Sequence, residues 1–153
     1  MKSTAHSLWI LLIVVPSAVC SPQEPGNPLL IELEANRGRW TDLGWLDYDL
    51  TLARSCFCLL ESIGPVTVRV RNGGIVSQTY TETGTPVPEQ HAVFFPAVEG
   101  LFDVILESIE SGADHITVTY DSNTGAPTEI FIDSIENATD DELTITVIEL
   151  SDD

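Results

Sequence analysis

The sequence predicts an α+β domain, an antiparallel sheet of about six strands with two helices packed on one face. Three observations carry that prediction. Apolar residues alternate with polar ones through Tyr48, Leu50 and Leu52, through Val66, Val68 and Val70, and through Ile116, Val118 and Tyr120, which is the period of a half-buried strand. Asn72-Gly73-Gly74 is a hairpin signal between the second of these runs and its return. Leu30, Leu33, Arg37 and Trp40 recur at helical spacing, as do Val98, Leu101, Phe102, Ile105 and Ile109. A chain of 153 residues, 43% hydrophobic, is long enough for one domain with its own core.

In chain order, Met1 and Lys2 precede an unbroken apolar run from Leu8 to Val15, followed by Pro16-Ser17-Ala18. This reads as a signal peptide over residues 1–20 and predicts export. The run is far shorter than the ~20 residues of a spanning helix. Cys20 follows it as in the bacterial lipobox, although Val19 stands where a small residue is expected, so Cys20 is a lipidation candidate. The expected location is the bacterial cell envelope, lipid-anchored, or the periplasm. Residues 21–29, rich in proline, read as a tether ahead of a single domain over 30–150.

The first helix is expected over 30–43, with Glu32 and Glu34 early, Arg37 and Arg39 late, and Gly44 as its stop. In the strand from Asp47 to Cys58, strict alternation puts Cys56 and Cys58 on the face of Tyr48, Leu50 and Leu52, pointing into the core. Gly64-Pro65 breaks the pattern before the hairpin of Val66 to Tyr80. Thr81 to Pro96 has no period and four breakers, Gly84, Pro86, Pro88 and Pro96. It reads as a long loop, anchored to the core by Phe94 and Phe95. The second helix runs from Val98 to a glycine cap at Gly112. Ile116 to Tyr120, a turn over 121–127 and the return through Ile130 and Ile132 form a second hairpin. The last strand runs from Leu143 to Leu150, with Leu143, Ile145 and Val147 on one face. Each half thus offers a helix and about three strands, which suggests a weak internal duplication.

The net charge of −18 is unevenly placed. All positive residues, Lys2, Arg37, Arg39, Arg54, Arg69 and Arg71, precede Tyr80, whereas from Thr81 onward there are 17 Asp and Glu and no Lys or Arg. Such a chain repels phosphate backbones and anionic headgroups, which argues against nucleic acid and leaves a lipid on Cys20 as the only expected route to a membrane.

Cys56 and Cys58 are the only cysteines of the domain. In a flat strand their Cα atoms would lie ~6.7 Å apart, so a bridge requires the strand to bend or end there. Closing so short a loop stabilises by at most about 1.6 kcal/mol. A structural disulfide, inert thiols, redox chemistry and metal binding all remain open to the pair. Zinc would need two further ligands, and only His91 and His115 are at hand. Asp121-x-Asn123-x-Gly125 resembles the opening of a calcium loop but fits a hairpin turn better, and Asp133 with Asp140-Asp141-Glu142 has no defining ligand spacing. There is no nucleophile elbow and no glycine-rich phosphate loop, so no catalytic residue, metal or cofactor is assigned.

Several segments together resemble a known family: Ala35-Asn36-Arg37-x-Arg39-Trp40, Asp47-Tyr48, Arg54-Ser55-Cys56-Phe57-Cys58-Leu59, Gly64-Pro65-Val66, Gly112-Ala113-Asp114, Val118-Thr119-Tyr120-Asp121, Ile130-x-Ile132-Asp133 and Asp140-Asp141-Glu142. In this order, across about residues 31–149, they are similar to the bacterial domain of unknown function 6174. The resemblance implies an exported, often lipoprotein-like protein and no particular activity. Leu60 stands where that pattern has a proline, and Ala97 where it has a capping threonine. The expected function is a non-catalytic envelope or periplasmic module that binds a protein or peptide. The alternative is a thiol redox or metal-handling protein using Cys56 and Cys58.

Overall fold

The computed structural model describes residues 26–136, 138 and 140–152. The expected signal segment, Cys20 and most of the expected tether lie outside the described residues. Helix α1 spans Pro28–Leu43 and starts two residues before the expected position, because Asn27 and Pro28 act as cap and first-turn proline. The Asn27 side chain accepts the Leu29 N–H at 3.0 Å. Gly44, at φ 66°, ends the helix in the left-handed conformation that glycine adopts without strain. Helix α3, Val98–Ser111, ends likewise at Gly112, and Ala113 N–H reaches back to the Ser108 carbonyl. A short helix α2, Glu89–Ala92, interrupts the stretch expected to be a plain loop. Among the described residues no helix is long and apolar enough to cross a membrane.

The strands are β1 (Tyr48–Cys56), β2 (Val66–Arg71), β3 (Gly74–Tyr80), β4 (His115–Tyr120), β5 (Pro127–Asp133) and β6 (Leu143–Asp152). They form one antiparallel sheet in the order β3-β2-β1-β6-β5-β4. The α+β architecture read from the sequence is the observed one. Tyr48, Leu50, Leu52, Val66, Val68, Val70, Ile116, Ile130, Ile132 and Ile145 face a single core shared with Leu33 and Trp40 of α1 and with Val98, Leu101, Phe102 and Ile105 of α3. Both helices therefore cover the same side, and Asp49, Thr51, Thr67 and Arg69 line the other.

The two halves share an order of elements but not an arrangement. Two α-β-β-β units related by a rotation normal to the sheet, each with its helix on the same face, would put β4 beside β1. Here β6 is beside β1. The duplication suggested by the sequence is therefore not a superposable repeat.

The ladder shifts register in the β1-β6, β2-β3 and β4-β5 pairings, and two of the departures from strict alternation bear on the centre of the sheet and on the cysteines. Pairing of β1 with β6 shifts register between Thr51 and Leu52, leaving Ile148 unmatched and exposed. This bulge lets both Val147 and Leu150 turn toward the core despite their odd separation. The second departure corrects the cysteines. Strand β1 stops at Cys56, Cys58 N–H donates to the Cys56 carbonyl at 2.9 Å, and Cys58 is exposed rather than buried. Strict alternation fails once the ladder ends, so Cys58 leaves the core face, while Cys56, still paired with Leu143, is half-buried at the margin of the core.

The N-cap position of helix α3 is Ala97, whose methyl group cannot accept a hydrogen bond. The cap comes from the sheet. The Tyr48 hydroxyl accepts the Val98 N–H at 3.1 Å and donates to Glu99 Oε2 at 2.7 Å, while Glu99 Oε1 accepts from Trp40 Nε1 at 2.9 Å. Trp40 and Tyr48 also meet edge to face. One carboxylate thus ties α1, α3 and the central strand together, and Tyr48 is fully buried.

Candidate functional site

The segment after β1 is built to project. Arg54 N–H donates to the Ile63 carbonyl, and its guanidinium donates to the Ser62 carbonyl at 3.1 Å, closing residues 55–62 into a loop. A single 3-10 turn, Leu60–Ser62, is fixed by Ser62 Oγ donating to the Leu59 carbonyl at 2.7 Å. Tyr80 Oη donates to the Glu61 carbonyl at 2.6 Å and ties the loop to β3. Gly64, at φ 88°, lets the chain return, and a Cβ there would stand 3.1 Å from the Leu52 carbonyl oxygen and 3.2 Å from the Phe95 ring. The peptide bond between Gly64 and Pro65 is cis.

On this base Cys56 and Cys58 are bonded to each other, with Cα atoms 5.3 Å apart. Phe57 between them is 82% exposed, Leu59 67% and Leu60 82%. No Asp or Glu occurs from Leu50 to Leu60 in a chain of net charge −18. The tip is thus apolar on an otherwise acidic molecule. A shallow depression of about 370 Å³ is lined by Cys56, Phe57, Cys58 and Leu59.

The tip is coupled to the α2 segment through Arg54, whose guanidinium stacks over the Phe94 ring at 4.8 Å. Half-burial disfavours its charged form and lowers its pKa. Among the described residues no carboxylate forms a salt bridge with it. Phe94 and Phe95, expected as a pair of anchors, divide the work. Phe95 is fully buried against Tyr80, whereas Phe94 stays partly open beside the exposed Val93. Alternation could not reveal this, because the segment is not a strand. Gln78 holds it down by donating to the carbonyls of Ala92 and Phe95 at 2.8 and 2.6 Å.

The other candidates do not converge on the cysteines. His115 is exposed at the start of β4, within 3.1 Å of Thr117 Oγ1, and His91 is half-buried beside Phe94. Asp121 Oδ1 accepts from the backbone N–H groups of Asn123 and Thr124 and from the Thr124 hydroxyl, which pulls its pKa down. That oxygen serves the turn. Asp141 Oδ2 accepts the Ile135 N–H and braces its own loop. Among the described residues no three His, Cys, Asp or Glu side chains are grouped to hold a metal.

Residues 32–152 match the family model of a family of unknown function, DUF6174. The chain belongs to DUF6174. Neither curated proteins nor solved structures gave a match. Several motif residues of this DUF6174 chain have visible structural duties: Trp40 and Tyr48 in the Glu99 network, Gly112 at the end of α3, and Asp121 in its turn. Phe57 and Leu59 face solvent instead.

Proposed function

We propose that this DUF6174 protein is an exported, non-catalytic module of the bacterial envelope or periplasm that binds a protein or peptide through the Phe57-Leu59-Leu60 tip. The supporting observation is the exposure of these three large apolar side chains, adjacent in sequence, on a loop held by Arg54, Ser62 and Tyr80. Water-exposed apolar clusters are costly unless a partner covers them, and buried aromatic and aliphatic anchors supply most of the energy at protein interfaces. Export, and anchoring through a lipid on Cys20, are supported by the N-terminal pattern of Lys2, the Leu8 to Val15 run and Cys20.

The test is capture of envelope proteins by the wild-type domain and by the triple variant Phe57→Ser/Leu59→Ser/Leu60→Ser. A partner retained by the first and lost by the second is expected. Identical capture by both sinks the proposal. Failure to incorporate a palmitate analogue in a bacterial host would remove the lipid anchor. A thiol redox role is the second reading, favoured by the exposure of Cys58 at the bridge. Cys56→Ser/Cys58→Ser separates the two readings. Tip binding predicts that capture persists, whereas a redox role predicts that disulfide exchange with a small dithiol substrate is lost while the fold remains.

A further inference from the structure

The sheet's two edges are treated differently. Along β3, the upper half is covered: Thr79 bridges to Pro86, Val87 N–H donates to the Gln78 carbonyl at 2.9 Å, and Tyr80 N–H donates to the Thr85 carbonyl at 2.9 Å. Along β4, no strand pairs with the outer side among the described residues. Its sequence, His-Ile-Thr-Val-Thr-Tyr, contains no proline, lysine or acid. These are the features that ordinarily blunt an edge against addition of another strand. The register with β5 is regular from His115 to Thr119, so the outer backbone groups present an even ladder over that length.

We infer that the outer edge of β4 receives an extended basic segment of another protein as a seventh strand. The charges and the half-buried apolar positions beside the edge choose this occupant. The side chains of His115, Thr117 and Thr119 point to the uncovered face, and the residues paired with them one strand inward are Asp133, Phe131 and Glu129. Strands are spaced ~4.8 Å apart, so those carboxylate-bearing positions lie roughly 10 Å from an added strand, within the joint reach of an acidic and a Lys or Arg side chain. Asp114 and Asp121 flank the strand at its two ends, and the half of the chain from Thr81 onward carries 17 acids and no Lys or Arg. On the helix-covered side Val118 and Tyr120 are only half-buried, which suits apolar residues at alternate positions of the incoming strand. A second copy of this chain would set the same carboxylates against each other, so a cationic segment is the occupant the charges select.

This surface is separate from the Phe57 tip, and its test reads out separately. The probes are a fluorescein-labelled peptide alternating Val and Lys over seven residues and its Val/Glu twin, titrated into the domain by anisotropy, with amide chemical shifts mapping the contact. Binding of the Val/Lys peptide, shifts concentrated at residues 115–120, and little binding of the twin are expected. Glu129→Gln/Asp133→Asn should weaken it about three- to ten-fold. Thr117→Lys, which places a like charge on the edge, should weaken it at least as much. The Phe57→Ser/Leu59→Ser/Leu60→Ser variant should bind as wild type. Equal affinity for the two peptides, shifts centred on the tip, indifference to Thr117→Lys, or a β4-paired dimer in sedimentation would each overturn the inference.

Discussion

Tyr48→Phe removes one oxygen atom and is expected to be among the most damaging conservative changes in this protein. The ring is fully buried, so Phe fills the same volume and the loss is confined to the hydroxyl. That hydroxyl serves two partners, accepting from Val98 N–H at 3.1 Å and donating to the Glu99 carboxylate at 2.7 Å. A hydrogen bond to a charged group contributes about 1.5–3 kcal/mol, and a buried N–H left without an acceptor costs about 1–3 kcal/mol. Allowing for partial relaxation, the expected loss is about 3 kcal/mol. In equilibrium urea unfolding this lowers the midpoint by roughly 1.5 M, and in a thermal melt it lowers Tm by roughly 10 °C. Glu99→Gln tests the same network from the other side, because the amide oxygen can accept from Trp40 only by turning its NH2 to the Tyr48 hydroxyl, which then loses the acceptor for its own proton. A double-mutant cycle of the two changes should then show coupling of at least about 1 kcal/mol. A Tyr48→Phe midpoint within about 0.5 kcal/mol of wild type would refute the assignment of Tyr48 as the cap of α3.

The same network predicts the behaviour in alkali. Burial first, then the Glu99 hydrogen bond and charge, raise the Tyr48 pKa above the ordinary value of 10.0, and burial with the Glu32 charge raises Tyr120 to about 12. The folded state holds these protons more tightly than the unfolded chain, so their contribution is complete below pH 10 and is lost as pH rises above it. Urea midpoints from pH 8 to 11.5 should fall with a slope that Tyr48→Phe and Tyr120→Phe each reduce; a slope unchanged in both variants would contradict this. Gly125→Ala should cost about 2–4 kcal/mol, because its φ is 77° and a Cβ would sit 2.5 Å from the Asn36 carbonyl oxygen; an unaltered melt would show that α1 does not pack on this turn as described. Ala97→Ser, which adds an acceptor for the first-turn N–H groups of α3, should add about 0.5–1 kcal/mol of stability in the same assay, and a loss would count against Ala97 as the cap position.

The strands and helices were legible where a local period writes them. Leu50 and Leu52, Val66 to Val70, and Val98 to Ile109 each bury the face that their spacing names. What the sequence hid depends on distant partners. Nothing near Ile148 announces a bulge, because the register shift is set by what β1 presents across the ladder. Nothing near Ala97 announces that a tyrosine some fifty positions earlier supplies its cap. The cysteine pair stands out in the sequence as a chemical landmark, whereas its surroundings depend on where the strand stops. Alternation describes Cys58 only while the strand continues, and β1 ends at Cys56. Phe94 reads as an anchor beside Phe95 by composition, and only the folded loop shows it partly open under the Arg54 guanidinium.

The pairing of β1 with β6 places the earliest strand and the latest side by side at the middle of the sheet. Local contacts can complete the hairpins and both long helices while the central seam is still vacant. Thr51 and its partner Glu149 are about one hundred positions apart, so closing this seam costs more loop entropy than closing either hairpin. Until it closes, Leu50 and Leu52 have only one flanking strand. Truncations ending before Leu143 should thus be protease-sensitive throughout, and in refolding compactness should arrive in a single late step. The domain is locked by the pairing of its central seam.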